Sequence, residues 1–178
     1  AALIRMLSDD PQVTCNVLTT EEEGVAIAVG AWLGGQRSVL LMQSSGVGNC
    51  INMLSLPVMA RTPLLMLVTM RGEWAEFNPW QVPMSRATQP ALEAIGITVL
   101  RAETGPDLVD TVAAAAAMAF DSDQQIAILI GQRLLGLGVV RVVGGRLGFG
   151  RSIVRTALLC LAVPALIWDR DARGLHDK

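Results

Sequence analysis

The sequence predicts an α/β protein, a doubly wound parallel sheet with helices on both faces. Short apolar runs alternate with helix-like segments between residues 13 and 130, and this alternation is typical of βαβ units. The runs at Val39 to Met42, Leu64 to Val68 and Ile126 to Ile130 are continuously apolar. Strands have this composition when helices cover both faces of their sheet.

The elements follow in chain order. The predicted strands are Val13 to Leu18, Val39 to Met42, Leu64 to Thr69, Ile97 to Leu100 and Ile126 to Ile130, and the predicted helices are Glu21 to Leu33, about Gly48 to Ala60, and Pro106 to Phe120. The last helix is rich in alanine and has proline in its first turn, and both features favour a helix. Residues 1–7 resemble the end of a helix already under way, so we expect the N-terminus to be truncated.

Two segments interrupt this alternation. Met70 to Gln89 is long, contains Pro79 and Pro83, and mixes tryptophan with charged residues, and long loops inside compact domains are usually functional. Residues 137–178 are rich in glycine and arginine and end in a charged run. We therefore expect one domain over residues 1–136, with a tail that fits no element of the fold.

The composition excludes several classes of function. A net charge of -2 without a basic patch argues against nucleic-acid or anionic-membrane partners. The most apolar segment, Ile153 to Trp168, contains Arg155 and Pro164 and is too short to span a bilayer, so we expect a soluble, cytoplasmic protein. Only 17% of residues are charged, so another chain is expected to cover part of the surface.

Cysteine and histidine usage excludes further kinds of site. Cys15, Cys50 and Cys160 are odd in number and form no C-x-x-C pair, so we expect buried thiols and neither disulfides nor a zinc site. The single histidine, His176, lies in the terminal charged run. Histidine-based catalysis is nearly excluded unless another chain supplies that residue, and no metal-ligand cluster is visible.

Three adjacent carboxylates, Glu21, Glu22 and Glu23, open the first predicted helix. Thr20 and Glu23 have the spacing of a capping box, and the helix dipole favours acids in a first turn, so helix-start chemistry alone could account for all three. Residues 24–33 are apolar nearly all round. Since successive helical residues point about 100° apart, one carboxylate should point inward and need a hydrogen-bonding partner or ligand.

A glycine-containing segment, Gln43 to Asn49, follows a buried strand, at the edge where open α/β sheets bind ligands. It matches neither a dinucleotide fingerprint nor a P-loop, and a tight strand-to-helix turn is the simpler alternative. Arg71 follows the next strand along the chain. It could bind an anionic group or form an exposed pair with Glu73.

Together these motifs resemble the pyrimidine-binding domain of thiamine-diphosphate-dependent 2-oxoacid decarboxylases, with the sulfopyruvate and phosphonopyruvate decarboxylases the nearest branches. The resemblance rests on Glu21 to Leu33, Leu41 to Asn49 and Arg71 to Glu73, and continues through Gln81 to Met84 and Gln132 to Leu134. It covers about residues 9–136.

The resemblance implies roles for individual residues. A glutamate nine positions before the helix glycine is the family's catalytic acid, and counting back from Gly30 selects Glu21. Its carboxyl would hydrogen-bond the aminopyrimidine ring and so promote deprotonation of the cofactor's thiazolium carbon. The residues expected to contact the cofactor are Gln43, Ser45, Gly46, Gly48 and Asn49, and those expected, from charge and position, to contact the substrate are Arg71 and Gln81.

One departure from the family pattern implies a partner. The Gly-Asp-Gly run that holds diphosphate and magnesium in the family occurs nowhere in this sequence, so a second, diphosphate-binding subunit is expected to supply that site. The expected assembly is a homodimer or a hetero-oligomer. The expected substrate is an anionic 2-oxoacid of the 3-sulfopyruvate or 3-phosphonopyruvate type. Two alternatives stay open, a non-catalytic α/β module and an acetolactate-synthase-like carboligase component.

Overall fold

The computed structural model describes residues 2–134, which contain four strands in one parallel sheet. The strands are β1 (Val39–Gln43), β2 (Leu64–Thr69), β3 (Thr98–Ala102) and β4 (Gln125–Ile130), and the sheet order is β1-β2-β4-β3. All three pairings are parallel. The carboxyl ends of the strands therefore meet at one edge of the sheet, which we call the carboxyl edge.

Six helices connect and flank the strands in the described part of the chain. They are α1 (Ala2–Asp9), α2 (Glu21–Leu33), α3 (Ser44–Cys50), α4 (Ser55–Ala60), α5 (Gln81–Ala94) and α6 (Gly105–Ser122). None of them is long and apolar enough to cross a membrane.

Alternate residues of the strands contribute to two separate cores. Met66 and Val68 belong to the core on the face where Val25, Val47 and Leu92 of the helices pack. Ile126 and Ile128, which point the other way, pack in the core under Ala115 and Ala119 of α6. All of these side chains are completely buried. The predicted parallel sheet with helices on both faces is confirmed.

Two predicted elements differ in the structure. Residues 13–18 form no strand, because the chain there pairs with no neighbour and leaves Val17 fully exposed. The helix predicted from Gly48 to Ala60 is two helices, α3 and α4, joined by a turn. Pro57 lies in the first turn of α4, where its missing N–H costs nothing, whereas a continuous helix would require that donor.

The long loop predicted over Met70 to Gln89 is shorter than expected, because α5 begins at Gln81. Pro83 falls in the first turn of α5, so it allows the helix to form. The expectation of buried cysteines is confirmed for Cys50 and wrong for Cys15, which is exposed. Cys160, His176 and the tail at 137–178 lie outside the described residues.

Candidate active site

The side chain of Glu21 lies at the carboxyl edge, against the start of α3. Its Oε2 accepts a hydrogen bond of 2.9 Å from Nδ2 of Asn49. Its carboxyl group also covers Gly46, where an added Cβ would lie 2.6 Å from the Glu21 Cδ. Only glycine leaves room for this approach, so the structure brings Glu21, Gly46 and Asn49 together.

The other two glutamates of α2 have different surroundings. The Glu23 Oε2 accepts a hydrogen bond of 2.7 Å from the backbone N–H of Thr19, and the Thr20 hydroxyl makes no capping bond to the helix backbone. The predicted capping box is therefore wrong in its partners, because Glu23 reaches one residue further back. Glu22 has a lowered pKa because its own backbone N–H and then the Thr20 hydroxyl stabilise its charged form.

The segment Gln43 to Asn49 is the end of β1 running directly into α3, and not an open loop. The Gln43 amide donates to the Ser45 hydroxyl. Ser44 is fully buried, and its hydroxyl accepts a hydrogen bond of 3.1 Å from the backbone N–H of Arg71. This bond joins the ends of β1 and β2.

Glycine at position 48 leaves room for the Met84 side chain, since an added Cβ would lie 3.0 Å from the Met84 Sδ.

Cys50 lies beneath these carboxylates at the end of α3 and is fully buried. Burial, followed by the charges of Glu21 and Glu22, raises the pKa of its thiol to about 11. A thiol with this pKa stays protonated and unreactive at neutral pH. Cys50 is therefore a packing residue under the site.

A second carboxylate at the carboxyl edge, that of Glu76, is almost fully enclosed. Its side chain is 3% exposed and forms a bidentate pair with Arg71, at 2.7 and 2.8 Å. It also accepts from the backbone N–H groups of Gly72 at 3.1 Å and Asn78 at 3.0 Å. The hydrogen bonds from Arg71 lower the pKa of Glu76 to about 2. The alternative of an exposed pair between Arg71 and Glu73 is wrong, because Arg71 pairs with Glu76 through Nε and Nη2 and Glu73 pairs with Arg101.

Gln132 connects the loop after β2 to the end of β4. Its side chain is buried, and its Oε1 accepts from the backbone N–H groups of Glu73 at 2.8 Å and Trp74 at 2.9 Å. Its Nε2 donates to Glu76 at 3.0 Å. We call Arg71, Glu76 and Gln132 the loop clamp. The roles of Glu76 and Gln132 were not predicted from the sequence. The available signal was Gln132, a polar residue two positions after the buried strand β4.

Gln81, the other predicted substrate residue, begins α5 beside this loop. Its backbone carbonyl packs on Gly72, where an added Cβ would lie 2.7 Å from the Gln81 oxygen and where φ is +78°. A cavity of about 660 Å³ opens next to it, with an almost entirely apolar lining. The lining residues are Pro79, Trp80, Pro83, Met84 and Ala87. Met84 also contacts Gly48, so this cavity lies on the α5 side of α3, whereas Glu21 packs on α3 at Gly46.

Among residues 2–134, no group of three or more histidine, cysteine, aspartate or glutamate side chains could hold a metal ion. The carboxyl edge thus carries a partly exposed carboxylate, that of Glu21 on α2, and a clamped loop after β2. An apolar cavity lies beside that loop, at the start of α5. Such a combination of an apolar pocket with a few polar groups is typical of sites for small molecules.

Comparison with known proteins gives several relatives. The chain is 33% identical over 129 residues to the sulfopyruvate decarboxylase subunit alpha of Methanococcus maripaludis, a match that covers 72% of this chain and 77% of that protein. It is 43% identical over 82 residues to the sulfopyruvate decarboxylase of Methanosarcina acetivorans, covering 46% and 21% of the two proteins. It is 39% identical over 93 residues to the phosphonopyruvate decarboxylase of Streptomyces viridochromogenes, covering 51% and 23%. No protein-family model matches the chain.

Proposed function

The chain belongs to the family of sulfopyruvate decarboxylase alpha subunits, and from this premise we propose that it is the pyrimidine-binding subunit of a thiamine-diphosphate-dependent decarboxylase. Its substrate is an anionic 2-oxoacid of the 3-sulfopyruvate or 3-phosphonopyruvate type. The relatives are named decarboxylases, so the class of enzyme is carboxy-lyase. The observation that carries the proposal is the Glu21 carboxyl held over Gly46 by Asn49.

The residues around Glu21 fit the aminopyrimidine end of the cofactor. A flat heteroaromatic ring needs an apolar surface and a carboxyl group at its edge. The start of α3 offers the Glu21 carboxyl at Gly46 and the apolar Met84 side chain at Gly48. The residues proposed to hold the ring are Glu21, Gln43, Ser45, Gly46, Gly48 and Asn49. When bound, thiamine diphosphate would supply the nucleophilic carbon and would accept the electron pair that stays behind when carbon dioxide leaves.

In this proposal Glu21 holds and transfers a proton at its carboxyl group. The Asn49 amide donates to Oε2 at 2.9 Å and so orients the carboxyl, which is partly exposed and can exchange a proton with a ring nitrogen. The buried Cys50 thiol stays neutral and adds no charge beneath Glu21. Arg71 and Gln81 remain proposed substrate contacts, although Glu76 already engages two donors of Arg71.

The charged end of the cofactor requires a second polypeptide in this proposal. The described residues have no cluster that could hold magnesium, and the sequence has no Gly-Asp-Gly run. The name "subunit alpha" of the relatives fits an enzyme with more than one kind of subunit. We therefore propose a diphosphate-binding partner subunit that completes the site with magnesium.

The experiment is to combine the chain with a diphosphate-binding subunit, thiamine diphosphate and magnesium, and to measure carbon dioxide released from 3-sulfopyruvate. We expect Glu21→Gln to lower kcat by about 100-fold or more, because a general acid–base contributes on the order of 10² to 10⁴. Glu23→Gln is the matched control, since it removes the same charge two residues away, where the carboxylate bonds only Thr19. Equal rates for the two variants would refute the role of Glu21.

A further inference from the structure

Three arginines lie at the carboxyl edge, each near the end of a different strand. Arg71 follows β2, Arg101 is the next-to-last residue of β3, and Arg133 follows β4. Arg71 is paired with Glu76. Arg101 lies 2.9 Å from Glu73 and 2.8 Å from Glu103. Carboxylates of the chain itself therefore neutralise two of the three cations.

Arg133 differs from the other two arginines. It forms no ion pair with any carboxylate among residues 2–134, and it is exposed. Its guanidinium carbon lies 3.8 Å from the centroid of the Trp74 ring. A guanidinium that stacks on a ring uses its face, so its in-plane N–H groups stay available for a carboxylate, sulfonate or phosphonate.

The position of this cation is fixed by the loop clamp. The Trp74 backbone N–H donates to the Gln132 side chain at 2.9 Å, and Gln132 immediately precedes Arg133 in the chain. The backbone segments that carry the Trp74 ring and the Arg133 guanidinium are therefore joined at Gln132. A preorganised cation loses less side-chain entropy when it binds an anion.

We propose that Arg133 binds the distal anionic group of the 2-oxoacid and so determines the preference for substrates with a second negative charge. This inference rests on the proposed function. β4 is separated from β1 by β2 alone, a lateral distance of about 10 Å at the common edge. Glu21 packs on α3, which follows β1, and Arg133 follows β4, so the end of β2 and its clamped loop separate the strand ends next to the two groups. Arg71, the candidate from sequence, is less suited because Glu76 engages its guanidinium.

The test uses the chain with its diphosphate-binding subunit, thiamine diphosphate and magnesium. We expect Arg133→Gln to raise KM for 3-sulfopyruvate about 10- to 100-fold, the loss expected for charge-assisted hydrogen bonds, with kcat changed less than about threefold. A second readout without turnover is calorimetry, in which affinity for 3-sulfopropanoate should fall by the same factor while affinity for propanoate stays constant. Arg133→Lys should retain part of the affinity, since lysine cannot form the bidentate contact.

Arg37→Gln is the matched control. Arg37 is also exposed and also lies over an aromatic ring, with its guanidinium carbon 5.4 Å from the Phe120 centroid. It differs in pairing with Asp121 at 3.4 Å and in preceding β1, at the opposite edge of the sheet. It should leave KM and both affinities unchanged.

Several results would overturn the inference. One is equal KM and equal affinity for Arg133→Gln and Arg37→Gln. Another is a loss of affinity that is equal for propanoate and 3-sulfopropanoate. A third is that Arg133→Gln weakens only the association with the partner subunit, which would make Arg133 a subunit contact. Each of these leaves the proposed function intact when the wild-type pair releases carbon dioxide. Failure of the wild-type pair with every 2-oxoacid tested would remove the proposed function and this inference together.

Discussion

Glu21 and Glu76 are two carboxylates at the same edge of one sheet, and their surroundings differ in the number of donors they receive. The Glu76 carboxylate is 3% exposed and is bonded by Arg71, by two backbone N–H groups and by Gln132. The Glu21 carboxyl is partly exposed, and its one side-chain partner is Asn49. A carboxylate with all its lone pairs occupied stabilises a structure, whereas one with an open position can bind a ligand or transfer a proton.

The packing beneath each carboxylate accounts for the difference between Glu76 and Glu21. The rigid parallel strands of β2 and β4 provide fixed anchor points for the loop clamp, because Met66, Val68 and Leu129 are completely buried below it. Glu21 instead begins a helix that packs through Val25 and Ala28. Its side chain is therefore positioned by a helix start and a glycine, with few polar contacts to restrain it.

The largest expected effect comes from removing the charge of Glu76. We expect Glu76→Gln to lower the free energy of unfolding by about 3 kcal/mol, because breaking a buried ion pair leaves the other charge without its partner. Urea denaturation of the purified chain measures this change. Glu103→Gln breaks an exposed pair with Arg101 and should cost less than about 1 kcal/mol. Similar costs for the two variants would contradict the assignment of Glu76 as a structural carboxylate.

A somewhat smaller effect is expected at the Glu21 region from Gly46→Ala. The new Cβ would lie 2.6 Å from the Glu21 Cδ, so the carboxyl must move. Because that carboxyl ends a flexible side chain and alanine favours the helix, stability should change by less than about 1 kcal/mol. Decarboxylation should fall by about 100-fold, as expected when a reacting group is displaced by about 1 Å.

Gly30→Ala provides the matched control for Gly46→Ala. Gly30 also lies in a helix, but an added Cβ there meets nothing within 4 Å. Alanine at this position should stabilise the chain by about 0.5 to 1 kcal/mol and leave the rate unchanged. Activity retained in Gly46→Ala would mean that Glu21 needs no defined position.

The smallest expected effect, counted per pH unit, is the dependence of stability on pH that Glu76 introduces. Its pKa is lowered from 4.5 to about 2 by Arg71 in the folded chain, so its contribution is complete above the unfolded value. This contribution is lost as pH falls from about 4.5 toward 2, with a slope of at most about 1.4 kcal/mol per pH unit. When the free energy of unfolding is measured by denaturation at several pH values in this range, it should change less with pH for Glu76→Gln than for Glu103→Gln. Identical slopes would show that Glu76 is not the titrating group.

Much of the fold could be predicted because buried elements have distinctive patterns. The three continuously apolar strands and the helix from Glu21 to Leu33 lie where the sequence predicted them. The helix α5 was missed because Pro83 and Pro90 are typical of loops, although proline in a first turn is compatible with a helix. Residues 13–18 have a strand-like composition but no neighbour to pair with, and pairing depends on residues distant in the chain.

The sequence by itself determined the parallel sheet and the helix that starts at Glu21, because apolar periodicity and the residues that begin a helix are local properties. Only the tertiary structure decided that Arg71 pairs with Glu76 and not with Glu73, that Gln132 joins two loops, and that Arg133 keeps its donors available. Which polar groups meet depends on loops from separate strands coming within about 3 Å of one another. No spacing along the chain encodes that distance.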